Sequence, residues 1–378
     1  MFKILKMTLF SILAAIVALV IFVIIFFNTA PQIGEKPSGE LLERVVASKQ
    51  YKEDKFHNAV KTNTEFPFLK YFTVMYQMMT NTKGREPERQ IKTVAFDAEQ
   101  WESRSEDEIM MSWFGHSSVL IKMQGKTILA DPVFGDRASM FSFMGPKKFD
   151  YSQHMDVSQL PEIDLVIISH DHYDHLDYPT ITQLIDKVNL FYVPLGVAAH
   201  LESWGVQSSN IKTFDWWDTA DLADSLKLTF APTRHFSGRG LTDKFATLWG
   251  SWVIEGKTQK MYFSGDSGYF DGFEEIGNKF GPFDLALIEC GAYNEDNWPD
   301  IHMQPEQSVQ AALDVKARVA MPIHWGKFNL ALHLWKDPVE RFIEAANTNE
   351  LQTHTPQVGE IISIPAEVRK SNWWANYK

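Results

Sequence analysis

The chain has one cysteine, Cys290, among 378 residues. That excludes an intrachain disulfide and a thiolate-rich metal centre, so any bound metal must be held by imidazole and carboxylate. An excess of positive charge is also missing, since 36 Lys and Arg stand against 48 Asp and Glu for a formal charge of −12. The first 30 residues contribute two lysines and no acid, and removing them leaves −14 on the rest. A body of that sign repels phosphate backbones, which excludes nucleic acid as a partner. The chain has no low-complexity tract and no short-period repeat, and its apolar share of 45% is that of a globular protein rather than a polytopic membrane one.

Long hydrophobic runs are absent too, with one exception. Residues 7–27 read MTLFSILAAIVALVIFVIIFF, interrupted only by Thr8 and Ser11. At 1.5 Å per residue such a helix covers roughly 30 Å, the hydrocarbon thickness of a bilayer. A cleaved leader has a shorter apolar stretch and ends at small residues, and Asn28-Thr29-Ala30 is a poor cleavage site. The expectation is therefore an uncleaved single-pass anchor. Lys3 and Lys6 precede the run and only Lys36 follows closely, which puts the short tail (1–6) in the cytoplasm and the body outside, in the periplasm if the cell is bacterial.

Residues 28–107 read as a linker, punctuated by Pro31, Gly34, Pro37 and Gly39, and then an irregular arm. Within it, FPFLKYFTVMYQMM (66–79) leaves two readings open. It is a lipid-facing or channel surface, methionine being adaptable, or it lies on the next domain and is buried as core, the commoner fate of large apolar side chains. From 108 to 378 the pattern is that of one domain. Strands are expected at 109–114, 118–123, 126–130, 163–169, 226–232, 247–254, 260–265, 284–289 and 317–323. Helices are expected at 179–188, 305–315 and 337–347, each opening near a proline. Interspersed strands and helices point to a layered α/β domain with one or two helix-covered sheets.

The chemistry lies in Ser169-His170-Asp171-His172-Tyr173-Asp174-His175-Leu176-Asp177, an H-x-H-x-D-H spacing directly after the apolar run IDLVIIS. A solvated loop explains one or two histidines but not three with an acid at this spacing. One loop cannot complete two metal shells, and further ligand types stand at other strand ends: His235 after LKLTFAPTR, Asp266 after KMYFSG, His324 after ARVAMPI.

Together SHDHYDHLD, HFSGRG (235–240), SGDSGY (264–269) and PIHWGKF (322–328) resemble the metallo-β-lactamase superfamily, and within it the branch of N-acylphosphatidylethanolamine-hydrolysing phospholipase D and its bacterial relatives. WFGHSS (113–118), ADPVFG (130–135) and HMQPEQSV (302–309) add to the resemblance, which covers about residues 110–350. It implies a four-layer αββα sandwich, mixed α/β, with two metals on one rim. These are usually zinc, with manganese or iron as alternatives. By the resemblance His170, His172 and His235 hold one metal, Asp174, His175 and His324 the other, and Asp266 bridges them. A metal pair suits in-line displacement at a phosphodiester, and Asp174 and Asp266 then belong to the catalytic apparatus.

Four more residues carry expectations. His302 matches a position near the site and would protonate or position the leaving oxygen. Arg239 would bind the substrate phosphate through its planar fork. Asp177 would orient a ligand imidazole, and His116 would support the site without binding metal. Cys290 is expected to be a small buried residue. The leading function is a membrane-tethered phosphodiesterase that cuts an N-acylated phosphatidylethanolamine into N-acylethanolamine and phosphatidic acid. The alternative is a hydrolase of lactones, thioesters or small phosphoesters, because a metal core alone does not choose the bond. Nothing in the sequence sets the oligomeric state.

Overall fold

The computed structural model describes residues 2–65, 67–103, 108–153, 155–224, 226–364 and 371–377. The boundary expected at 107–108 therefore adjoins residues outside the description. The chain begins with α1 (Phe2–Thr29), a 28-residue helix with no buried residue and no proline or glycine to break it. Among the described residues it is the one helix long and apolar enough to cross a membrane. The arm then forms α2 (Gly39–Ala47), a hairpin of β1 (Tyr51–Lys52) and β2 (Lys55–Phe56), α3 (Phe68–Thr80) and α4 (Ala98–Glu102), capped by Asp97.

The body consists of two seven-stranded sheets. The first contains β3 (Ile109–Trp113), β4 (Val119–Met123), β5 (Lys126–Ala130), β6 (Ile163–Ile167), β7 (Val188–Pro194) and β8 (Ile211–Phe214), with β16 (Ile361–Ile364) returning beside β3. Helices α5 (Tyr178–Leu184) and α6 (Ala198–Ser203) cover its outer face. The second sheet contains β9 (Thr219–Ala223), β10 (Leu226–Ala231), β11 (Ser251–Glu255), β12 (Lys260–Phe263), β13 (Leu285–Glu289), β14 (Val319–Ile323) and β15 (Gln352–Thr353), with α7 (Gly272–Phe280), α8 (Pro305–Asp314) and α9 (Asp337–Thr348) against it.

The two sheets have matching layouts. In each, three antiparallel pairings continue into three parallel ones, from β5 to β8 in the first and from β12 to β15 in the second. Alternation along β3 sends Ile109, Met111 and Trp113 into the inter-sheet core and Met110 into the helix-covered layer. Interior strands of the parallel halves are buried on both faces, so β13 reads as the run LALIE. Parallel strands end on the same rim, and ligands gather at such carboxyl ends.

Three expectations change. The strand placed at 247–254 runs instead from Ser251 to Glu255, because Gly250 N–H is drawn to Ser169 O at 3.0 Å and holds the preceding residues as a loop. The aromatic and methionine-rich stretch is not wholly core: of α3, Val74 is buried while Phe72, Met75, Tyr76 and Met79 are exposed. And the described residues of the arm form α2, the β1–β2 hairpin, α3 and α4, more structure than an irregular arm.

Candidate metal centre

Each ligand-type residue sits where a buried strand reaches the common rim. β6 leads into Ser169 and the 170–175 loop, β12 leads to Asp266, β13 ends at Glu289, β14 ends one residue before His324, and His235 follows β10. The loop is held from two sides. Asp131, directly after β5, accepts from Ser169 N–H at 2.7 Å and from its hydroxyl at 2.5 Å. Asp171, buried between the first two histidines, accepts from Gly238 N–H at 2.8 Å and Thr247 Oγ1 at 2.7 Å, tying the loop to the segment that carries His235. Burial pushes the Asp171 carboxyl up, but the His200 imidazole and the Gly238 N–H hold it below the usual carboxylate range. His116, Asp131 and His324 all adopt left-handed φ values of 55°, 39° and 66°. Three such non-glycine residues around one site mark a backbone shaped for side-chain placement.

The side chains form two groups that meet at one oxygen. In the first, His170 Nε2 and His235 Nε2 lie 2.8 Å and 3.2 Å from His172 Nδ1. In the second, Asp174 Oδ2 lies 3.5 Å from His175 Nε2 and 3.3 Å from His324 Nε2. Asp266 Oδ2 faces both, at 3.7 Å from His170 and His235 and 3.1 Å from His175 and His324. A tetrahedral shell with zinc–nitrogen bonds of about 2.0–2.1 Å sets ligand atoms roughly 3.3 Å apart. The spacings here, from 2.8 Å to 3.7 Å, bracket that figure. His235 Nδ1 donates to Ile301 O at 2.9 Å, which leaves its Nε2 lone pair aimed at His172 Nδ1. Facing lone pairs repel unless a cation lies between them. Asp266 Oδ1 and His175 Nε2 are buried without a hydrogen-bond partner, as expected of atoms reserved for a metal. The residues fit a metal pair.

The electrostatics agree. Burial alone would raise the Asp266 carboxyl, yet the His175 and His324 charges beside it hold it well below its ordinary range. Burial alone would lower His324, but Asp266 and the hydrogen bond to Asp174 raise it to about 10. In the metal-free protein the buried carboxylates keep these imidazoles protonated, and a divalent cation supplies the same positive charge in their place.

His116 is buried, with Nε2 2.8 Å from Asp174 Oδ2, and burial together with the nearby His324 lowers it to about 3. A neutral ring donating from Nε2 orients Asp174. His302 lies at the partly open side, its ring 5.1 Å from those of both His235 and His324, with Nδ1 3.4 Å from Glu289 Oε2. Two expectations are corrected. Asp177 does not touch an imidazole: it caps α5, accepting from Thr180 N–H at 3.2 Å and Gly135 N–H at 3.0 Å. Arg239 does not offer its fork to a substrate, because it is buried and its guanidinium donates to backbone carbonyls of Gln32, Asp171 and Leu176.

The acceptor expected of Asp177 is instead Asp131, whose Oδ2 lies 2.7 Å from His175 Nδ1. Glu289 also carries no expectation from the sequence, and its Oε1 accepts from Ser267 N–H at 3.2 Å and Met303 N–H at 3.1 Å, bracing the Asp266 and His302 loops. Both shared a readable signal, an acid at the end of an apolar strand. Asp131→Asn should weaken metal retention roughly 10–100-fold by releasing His175, measured by competition with a chelator; unchanged retention would remove Asp131 from this role.

A family model described as "Beta-lactamase superfamily domain" matches residues 126–325, more than half of the chain. The chain belongs to the metallo-β-lactamase superfamily. It is a metal-dependent hydrolase of that fold. Among relatives of this superfamily, an uncharacterised protein of Mycobacterium tuberculosis is 44% identical over 270 residues, covering 70% of this chain and 72% of its own. The N-acyl-phosphatidylethanolamine-hydrolyzing phospholipase D 1 of Caenorhabditis elegans is 35% identical over 259 residues, covering 65% of this chain and 72% of its own. Igni18, a metallo hydrolase of Ignicoccus hospitalis, shares the metallo-β-lactamase fold at a TM-score of 0.52 and 20% identity, covering 69% of this chain and all of that one.

Proposed function

We propose that the chain is a membrane-anchored dinuclear phosphodiesterase of phospholipase D type. Its substrate would be an N-acylphosphatidylethanolamine, its products an N-acylethanolamine and phosphatidic acid. The observation that carries the reading is Asp266 Oδ2, poised between two imidazole groups at 3.1 Å and 3.7 Å. His170, His172 and His235 would hold one cation, Asp174, His175 and His324 the other, and Asp266 would be shared by both. Nitrogen and oxygen donors suit zinc, with manganese or iron as alternatives. When bound, such a pair supplies a low-pKa water and neutralises charge on the phosphoryl oxygens. His302, braced by Glu289, gives the proton to the leaving ethanolamide oxygen.

The lipid half of the reading draws on the relative from C. elegans and on apolar surface. No residue of the α1 helix is buried, and near its end Phe26 stacks on Phe141 at 4.7 Å. Phe143, Met144 and Leu241 are exposed on rim segments, as are Phe72, Met75, Tyr76 and Met79 on α3. Apolar groups in that number suit a lipid surface. The lysine bias supports a body on the extracytoplasmic side. Offering the purified protein a mixed phospholipid extract and analysing the products by mass spectrometry tests the proposal. N-acylethanolamine and phosphatidic acid should rise together, and release of free fatty acid instead would refute it.

A further inference from the structure

The loop that carries His170, His172, Asp174 and His175 is gripped by one side chain from another part of the chain. Arg239 Nη1 donates to the carbonyl of Asp171 at 2.5 Å and to that of Leu176 at 2.8 Å, one near each end of the loop. The guanidinium also lies 4.1 Å over the ring of Tyr173 in the loop's middle, and the Tyr173 hydroxyl donates back to Arg239 O at 2.8 Å. The outer edge of the same guanidinium turns toward the membrane anchor. Nε and Nη2 donate to the carbonyl of Gln32 at 3.0 Å and 2.7 Å, three residues beyond the end of α1.

Gln32 is itself seated. Trp204, stacked 5.3 Å from the guanidinium, donates Nε1–H to Pro31 O at 2.6 Å, and Glu35 N–H donates to His200 Nδ1 at 3.1 Å. Gly34 passes so close that a Cβ there would lie 2.2 Å from that nitrogen, and its φ of 76° disfavours any side chain. Arg239 is 2% exposed. A buried guanidinium is tolerated only while its donors are satisfied, and without Gln32 two of them are stranded. The side chain would then turn outward and let go of the loop.

We propose that residues 31–35 are a working strut of the metal site, and that Arg239 is the positioning residue that joins this juxtamembrane segment to the ligand loop. The linker after the anchor is then more than a tether, because the loop reaches its full order only when the segment is seated. The proposal rests on reading 170–175 as metal ligands, but not on any particular substrate.

The test uses the full-length protein in detergent micelles and a cycle of Gly34→Ala, Arg239→Lys and the double variant. Gly34→Ala displaces the strut, and Arg239→Lys replaces a fork that spans two segments with a point donor. Three quantities are read: hydrogen exchange of 31–36 and of 169–177, Zn²⁺ retention against a chelator, and kcat and KM on bis(p-nitrophenyl) phosphate. Each single variant should speed exchange at 169–177, weaken Zn²⁺ retention about 10-fold and lower kcat more than it changes KM. The double variant should be no worse than the stronger single one, because both break one connection. Additive losses overturn the proposal. So does a Gly34→Ala protein in which 31–36 exchanges freely while 169–177 and Zn²⁺ retention stay as in the parent, or one in which 31–36 remains protected. Should Gly34→Ala fail to fold, Trp204→Phe, which removes the N–H to Pro31 and keeps an aromatic ring, takes its place with the same outcomes. A parent protein that binds no Zn²⁺ would refute the metal reading, while the exchange data would still judge the strut.

Discussion

Asp266→Ala is expected to lose turnover by more than about 100-fold, beyond the 10–100-fold typical of a residue that only supports a metal ligand. It should also lose a large part of both metals rather than one. The reason is geometric: Asp266 Oδ2 is the atom that faces His170 and His235 on one side and His175 and His324 on the other. Removing it takes a ligand from both groups and leaves His175 and His324 in a buried site without the carboxylate that offsets their charge. His235→Ala, by contrast, should cost chiefly the metal on its own side. Elemental analysis of the two purified variants distinguishes these patterns, and full turnover in Asp266→Ala would sink the shared-ligand assignment.

Catalytic efficiency should climb steeply with the length of the N-acyl chain. Burial of apolar surface yields ~0.8 kcal/mol per methylene, so each added methylene should raise kcat/KM about fourfold until the chain outgrows the apolar surface that meets it. The comparison needs substrates held as monomers, since a chain drawn from a bilayer exchanges one apolar surrounding for another. Phe72 and Met75 on α3 and Leu241 beyond Arg239 are exposed apolar side chains available to such a tail. A lactone or small phosphoester hydrolase would gain nothing from it. A flat series would therefore remove the lipid reading while leaving the dinuclear site standing.

Much of the fold was legible where burial leaves a mark on sequence. The run expected at 126–130 is β5, and those expected over IDLVIIS, DLALIE and ARVAMPI contain β6, β13 and β14, because strands covered on both faces are continuous apolar runs. Strands β8, β9 and β15 carry little local signal, since IKTF and QT are short and TADLA is not apolar. β7 (VNLFYVP) is apolar but follows directly on the helix expected at 179–188 and is not separated from it by any turn signal. β16 is defined by pairing with β3 across some 250 residues of chain, which no local window can show.

At the site, the seven ligand-type residues stood out because several histidines and acids followed apolar strands. The assignments of Asp177 and Arg239 went astray for a common reason. Their partners are backbone amides and carbonyls, which every residue has and no sequence pattern marks. Asp131 and Glu289 were readable in principle, as acids closing apolar strands, but only the folded structure shows that they brace His175 and His302.

The central claim is that this metallo-β-lactamase relative hydrolyses a phosphodiester in a lipid by attack of solvent oxygen on phosphorus. Turnover of N-acylphosphatidylethanolamine in water enriched in oxygen-18 tests it most directly. The account predicts one labelled oxygen in the phosphatidic acid and none in the N-acylethanolamine, since the bond formed is from solvent oxygen to phosphorus and the bond broken is from phosphorus to the ethanolamide oxygen. Label in the N-acylethanolamine, or in a released fatty acid with the phosphodiester intact, would contradict it.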